Sequence, residues 1–508
     1  MRNVPTDRPV TYEAFGALGD GKTDDLPAIF EAHAFANTHG LPLKSRPDAT
    51  YHLGRRALTA VIATDTDWST SRFIIDDRDV EDFRVSVFAV RSLLAPIELS
   101  IPRLTRDQRR LDVKPPQDCY VQAQNENKRL YIRRGLNQNS GTPQKDCFIL
   151  RRDGTIEGAI DWDYDTITKI EANPMDERPL LVKGGVFTTN ANRVEQGKGY
   201  TSWARNIAIS RSNTTIQGVT HHIVGETDIG QPYRGFITAV RCANITLRDC
   251  FFTGHKTYSS IGAAGKPVDM GTYDVSAYDV VNFSIIGCRM EKICDPTLWG
   301  VAATSFCKNI LVENSTLSRM DTHQGVSGTY IIRGSTLGHA GLNAIGRGVL
   351  TIENSTVKGN SFLRLRNDYG STWEGTVVIR NSRWVPNCGA EIRGPLFEMV
   401  NHGQHDFGYP CFMPREITID GLVIEDRKVT AGYKGPFLFT DPDGKKADVK
   451  DRPFPYRQTE RVTIRNLSTS SGLNFRVSPS SEFSGRVRVI GEPAKRATAK
   501  PCTANPKT

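Results

Sequence analysis

Three stretches of the chain carry residues suited to acid–base chemistry on a charged substrate. Asp321-Thr-His323, Gly341-Leu-Asn343 and Arg364-Leu-Arg366-Asn-Asp368-Tyr369 follow one another at steps close to 20 residues, with Arg319 just before the first and His339 just before the second. If successive repeats stack ~4.8 Å apart, as neighbouring strands do, residues one repeat apart become neighbours in a ladder. Alternation along a strand then puts Asp321 and His323 on one face, and Arg364, Arg366 and Asp368 on one face. Such a wall suits β-elimination in a uronate-containing glycan. The substrate carboxylate must be neutralised before the neighbouring C–H turns acidic. Arg364 or Arg366 with Asn343 would do this, His323 would take the proton, and Tyr369 or His339 would return one.

The same residues admit hydrolysis. Asp321 and Asp368 are 47 residues apart, about two repeats. That spacing corresponds to roughly 9 to 10 Å, nearer the ~6.5–9.5 Å of an inverting carboxylate pair than the shorter retaining distance. Each residue alone has a plainer reading: an Asp in a turn is usually an Asx-turn, and stacked Asn residues are usually an internal ladder. The conjunction points to a site, because two arginines near imidazoles do nothing for folding unless carboxylates or a bound anion compensate them. Trp299, Asp274 and Trp373 flank the wall as candidates for sugar contact, with Asp269, Tyr273, Asp295 and Glu374 nearby and His405 in the loop His402-Gly-Gln-His405. Exposed Trp faces stack on sugar rings. His221-His222 has no acidic partner at ligand spacing and is read as structural.

The elements that must position this wall are repeats. From about residue 205 a polar residue or Gly, alternating β-branched residues and an Asn, Gly or Ser turn recur. Asn314-Ser-Thr, Gly334-Ser-Thr and Asn354-Ser-Thr are 20 residues apart, and Asn381-Ser follows after 27. This period is that of one coil of a parallel β-solenoid, whose inward residues are buried only against neighbouring coils. The Leu-x-x-Leu-x-Leu pattern of leucine-rich repeats is absent. Upstream, Phe15-Gly-Ala-Leu-Gly-Asp-Gly-Lys-Thr-Asp-Asp25 leads into a helix with Leu26, Ile29, Phe30 and Ala34 on one face. Thr23 or Asp24 can cap it, and Pro27 is tolerated in its first turn. This helix is expected to cover the open end of the first coil.

That Gly/Asp run and helix resemble the opening motif of the pectate lyase superfamily, over 10 to 60 and 200 to 490. The resemblance implies an all-β fold: a single-stranded right-handed parallel β-helix with an N-terminal capping helix. It also implies a carbohydrate-active protein, in a superfamily of hydrolases, lyases, epimerases and phage tailspikes, and leaves the chemistry to the site. Asp321-Thr-His323 further resembles the Asp-Pro-His of mannuronan epimerases; their Pro is Thr322 here, and their Tyr three residues before the Asp is Ser318. Gly338-His-Ala and Arg364-Leu-Arg echo the Gly-His-Gly and Arg-Ile-Lys of polygalacturonases, whose clustered Asp residues are missing. The expected organisation is a cap over 1–45 and early coils with an inserted β subdomain over 46–204. The helix carrying the site follows over 205–490, then a disordered tail over 491–508. The repeat is lost between about 70 and 195.

Composition agrees with a folded protein. Of 508 residues, 38% are hydrophobic and 24% charged, which supplies a large core and excludes wholesale disorder. No apolar run approaches the ~18 residues of a membrane-spanning helix. Lys+Arg 65 against Asp+Glu 56 gives +9, which reads first as ordinary solubility charge and, more sharply, as attraction to a polyanion such as an acidic glycan, no nucleic-acid module signature being present. The ten cysteines show no Cys-x-x-Cys and no zinc spacing; Cys242, Cys250, Cys288 and Cys307 fall in β-like segments as buried thiols. The expected partner is a polysaccharide, with no nucleic acid and no membrane, and the expected state is a monomer. No cofactor is expected, although surface aspartates could hold calcium. The first residues lack the apolar run of a signal peptide, so a secreted or periplasmic location requires a leader this chain does not carry. A β-eliminating lyase on an acidic glycan is favoured over a hydrolase using Asp321 and Asp368. An epimerase and a non-catalytic glycan-binding spike are lesser alternatives.

Overall fold

Short runs of alternating β-branched residues form strands because one face of each can be buried. In the computed structural model, which describes residues 7–133, 138–191, 202–300, 302–399, 406–441 and 459–497, these strands join one large sheet whose pairings are all parallel. Its coils stack residue on residue. Ile332, Ile352, Ile379, Ile419 and Ile464 are successive register partners and are fully buried. Thr316, Thr336 and Thr356 are likewise in register, so the 20-residue interval is one coil. The architecture is a parallel β-helix.

The turns between faces are built from ladders. Asn213, Asn244, Asn282 and Asn309 all take positive φ, which Asn tolerates better than β-branched residues. The side-chain amides of Asn244, Asn282 and Asn309 each donate to the Asn one coil earlier, at 2.7, 2.8 and 3.0 Å, and that of Asn213 to the Asp176 carbonyl. A second ladder runs through Ser315, Ser335, Ser355 and Ser382: the hydroxyls of the last three each accept from the backbone N–H of the preceding serine, and that of Ser315 from the Cys288 N–H.

At the N-terminus the helix Leu26–His39 packs on the strand Ala60–Ile62 and shares the core of the first coils. Its buried face is Leu26, Ile29, Ala32, His33 and Ala36; Ala34, expected inside, is exposed, and Phe30 is only partly covered. The aspartates of the Gly/Asp run staple backbone. Asp25 accepts from the N–H groups of Leu18 and Gly19, and Asp24 from those of Leu26 and Gly54.

The coils begin earlier than the repeat suggested. Arg72–Asp76 pairs with Val186–Asn190, and Phe88–Val90 with Ile207–Ile209. The excursion from the helix is therefore confined to residues 91–179, between Val90 and Leu180, rather than 70 to 195. It contains a four-stranded antiparallel sheet of Cys119–Leu130, Thr142–Leu150, Ile156–Glu157 and Lys169–Pro174. This sheet packs back on the strands Val275–Ile286 and Ala303–Glu313. Periodicity missed the flanking coils because an 89-residue detour separates strands that are neighbours in space.

Cys294 and Cys388 form a disulfide across 94 residues, and Cys242, Cys250, Cys288 and Cys307 are buried free thiols. Of the tail expected to be disordered over 491–508, Gly491, Lys495 and Arg496 instead pair with Ile464, Ser468 and Thr469 of the last coil, and residues 498–508 lie outside the described residues.

Candidate functional site

The strand Thr316–Arg333 turns two corners of a coil and carries Arg319, Asp321 and His323 on its first limb. Opposite it, Thr304 pairs with Thr322 and Ser305 with Gln324. His323 is thus the extra residue of a β-bulge, the device by which a strand re-aims one side chain. Its ring is half-buried and meets the Tyr369 ring edge-on at 5.6 Å. Its nitrogens make no hydrogen bond to a described residue. Burial, reinforced by Arg366, pushes its pKa down to about 3, so the imidazole is neutral at ordinary pH.

Asp321 is the anchor of the cluster. It is fully buried, and Arg366 Nη1 reaches its two oxygens at 3.2 and 3.0 Å, Arg319 Nη2 one of them at 3.0 Å, while the Tyr273 hydroxyl donates to the same carboxylate. Burial alone would raise the Asp321 pKa; Arg366 and Arg319 overcome it and hold the carboxyl at about 2. Arg366 also grips Asp368 through Nε and Nη2 at 3.1 and 3.0 Å, and Arg133 approaches Asp368 at 3.3 Å. Desolvation works against ionised Asp368 too, yet Arg366 keeps its pKa below the usual carboxylate range. Tyr273 is pushed up by burial and stays a phenol.

Arg319 lies over the rings of Tyr273 and Trp299, at 5.3 and 5.0 Å from their centroids. Such contacts hold a guanidinium in place without consuming its hydrogen bonds. Three guanidinium groups, those of Arg133, Arg319 and Arg366, thus face two carboxylates, Asp321 and Asp368, beside a neutral imidazole. The cluster keeps one net positive charge.

Several candidates lie elsewhere. Asp274 is fully buried, 3.7 Å from His221 and 3.9 Å from His255, because side chains alternate along the strand that Tyr273 leads into. His221, read as lacking an acidic partner, has one there. Trp373 points into the core and donates to the Thr376 carbonyl, so no sugar can stack on it. Arg364 faces outward but pairs with Glu398 of the next coil at 3.3 Å. Asn343 is buried and donates to the Ala340 carbonyl. Arg364 is its register partner as expected, but a shift between Leu317 and Arg319 pairs Met320 with Leu342. Asn343 therefore follows Asp321 in the stack, not His323. Tyr369 is buried behind His323 and beneath Arg133. His339 is half-buried, and its Nδ1 lies 3.2 Å from the Ile293 carbonyl. His405 lies outside the described residues. Among the described residues, no three side chains of metal-ligating type converge on one point.

Two members of the cluster carried little or no sequence signal. Arg133 arrives from the inserted sheet, 235 residues from Asp368, and no repeat connects them. Tyr273 was only a flanking candidate; its phenol stands where Ser318, in place of the epimerase Tyr, brings none.

No protein-family model matches the chain, and no curated protein matches it in sequence. Solved structures do match. The tailspike protein gp49 of Pseudomonas phage LKA1 aligns over 94% of this chain and 84% of its own, at 13% identity and a TM-score of 0.53. The two proteins share a fold. The Family 28 exopolygalacturonase of Yersinia enterocolitica aligns over 96% of this chain and 79% of its own, at 11% identity and a TM-score of 0.41. The A-module of the Azotobacter vinelandii mannuronan C-5 epimerase AlgE6 aligns over 97% and 100%, at 10% identity and a TM-score of 0.38.

Proposed function

We propose that the protein cleaves an acidic, uronate-containing polysaccharide by β-elimination at the Asp321–Arg366–His323 cluster. The observation that carries this reading is the unbalanced guanidinium charge beside an imidazole with free nitrogens. A uronate carboxylate supplies the missing negative charge, facing Arg366 and Arg133. Its neutralisation acidifies the proton at C5. His323 takes that proton as the C4–O4 bond breaks and the C4–C5 double bond forms, and the Tyr273 phenol protonates the departing O4. Asp321 is a positioning residue, holding Arg319, Arg366 and Tyr273 in place. The bound carboxylate also raises the His323 pKa toward the working range of a general base.

Hydrolysis fits these residues less well. An inverting pair needs one protonated carboxyl, whereas Asp321 and Asp368 are both held ionised by the guanidinium they share. The Cys294–Cys388 disulfide supports action in a secreted or periplasmic setting.

The test is incubation of the purified protein with a panel of uronate glycans, following the ultraviolet absorbance of the unsaturated sugar together with new reducing ends. Both signals should rise in parallel. Reducing ends without absorbance would sink elimination and reinstate the two aspartates.

A further inference from the structure

The inserted sheet does more than deliver Arg133. Between it and the helix wall lies a partly enclosed cavity of about 90 Å³, room for roughly six waters and so for about one sugar ring. Its floor is polar and pre-organised. Lys308, almost fully buried, sits 2.5 Å from Asp146 and 3.2 Å from Asp161, and Ser327 donates to Asp161 at 2.8 Å. The Asp161 backbone N–H donates to Asp146 at 2.6 Å.

Its walls are aromatic. Tyr131 packs on Tyr409 at 4.9 Å, and Trp162 meets Tyr409 at 6.2 Å. Tyr131 is only 6% exposed, and its hydroxyl finds no hydrogen-bond partner among the described residues. It rests over Gly325, where an added Cβ would come within 2.1 Å of the phenolic oxygen. With no partner in the protein, this hydroxyl is available to a group bound in the cavity that Tyr131 lines.

The charges of this cavity differ from those of the cleavage site. Its four lining cations are all ion-paired: Lys308 with Asp146 and Asp161, Lys145 with Asp279, Arg347 with Asp107, and Arg106 with Glu374. No cation is left over for a uronate. Carboxylate acceptors beside aromatic faces instead match the hydroxyls and C–H face of an uncharged sugar. Tyr131 also touches Tyr369 at 6.0 Å, and Tyr369 backs His323, so the two sites share one aromatic wall.

We propose that the cavity walled by Tyr131 and Trp162 and floored by Asp161 and Lys308 binds one uncharged sugar residue of the glycan. This rests on the glycan-cleaving reading above and narrows its substrate to a heteropolysaccharide carrying both uronate and uncharged sugars.

The experiment titrates the full chain with methyl glycosides of glucose, galactose and N-acetylglucosamine, and with methyl glucuronoside, read by saturation-transfer NMR. At least one uncharged glycoside should bind, unaffected by the glucuronoside and by His323→Ala. Asp161→Asn should weaken that binding at least fivefold, and Tyr131→Phe, which leaves the packing intact, about threefold. Binding of none of the uncharged glycosides, or equal binding by both variants and the parent, would overturn the proposal. Because the titration needs no turnover, glycoside binding without elimination would sink only the cleavage reading. Elimination without glycoside binding would sink only this one.

Discussion

At the scale of single residues, the cluster is organised around the buried Asp321 carboxylate, which Arg319, Arg366 and Tyr273 share. Replacing Asp321 with Asn would leave Arg319 and Arg366 without their fully buried partner, and breaking such pairs costs about 3–5 kcal/mol. The expected result is a lower denaturant midpoint together with lost activity. His323→Ala should instead lower turnover by roughly 10²–10⁴-fold with an unchanged melting temperature, since the bulged ring bears no hydrogen bond of the fold. A variant with full activity would move the chemistry elsewhere. Acid lability follows from the same groups. His33 and His323 hold their imidazoles to about 3 in the folded chain against 6.5 unperturbed. Unfolding therefore takes up protons as pH drops through that interval, and stability falls with it. Asp321 acts lower: its contribution is present above the ordinary 3.8 and lost as pH falls toward about 2. Melting temperature recorded from pH 7 downward should begin to decline near pH 6.5, and a flat profile to pH 4 would contradict the buried neutral imidazoles.

At the scale of elements, the corners of the helix depend on residues that tolerate positive φ. Asn282 has φ 61 and bonds both Asn244 and Glu157 of the inserted sheet. Asn282→Ala and Asn282→Gly lose the same hydrogen bonds, but only Ala pays the left-handed strain, about 1–2 kcal/mol. Urea unfolding should therefore rank Gly above Ala by that margin; the reverse order would mean that the corner relaxes. The 20-residue ladder and its inward residues were legible because alternation and stacking are local rules. The helix face was legible only in part. Leu26 and Ile29 point inward as the pattern predicts, but the core takes Ala32, His33 and Ala36 in place of Ala34. His33 is accommodated because Tyr12 offers its ring a hydrogen bond at 3.0 Å. The bulge at His323 escaped periodicity altogether, since one extra residue changes the aim of a side chain without changing its type.

At the scale of the whole molecule, two long-range ties stand out. The Cys294–Cys388 disulfide closes a span of 94 residues, and such a closure contributes about 2–4 kcal/mol. Thiol reductant should lower the guanidinium midpoint accordingly, and intact-mass analysis before reduction should show one disulfide; two free thiols at these positions would remove the support for an oxidising compartment. The second tie is the insertion of residues 91–179, which brings Arg133 to Asp368 and walls the cavity above Lys308. On the proposed elimination, Arg133→Ala should raise KM for an acidic glycan more than it lowers kcat, because that guanidinium approaches Asp368 from outside the coils.

The sequence by itself determined the coil period, the inward-facing residues, the asparagine and serine corners and the shared strand of Asp321 with His323. All of these follow from side-chain alternation and from the constant spacing at which strands stack. Tertiary structure decided which of the candidates meet. Register shifts took Asn343 away from His323, Glu398 took Arg364 outward, and burial withdrew Asp274 and Trp373. Tyr273 and Arg133 reached the cluster through a loop two coils away and through an excursion that no repeat encodes. The physical reason is one of range: periodicity constrains neighbours along the stack, while convergence on one carboxylate depends on loop paths and bulges that the pattern leaves open.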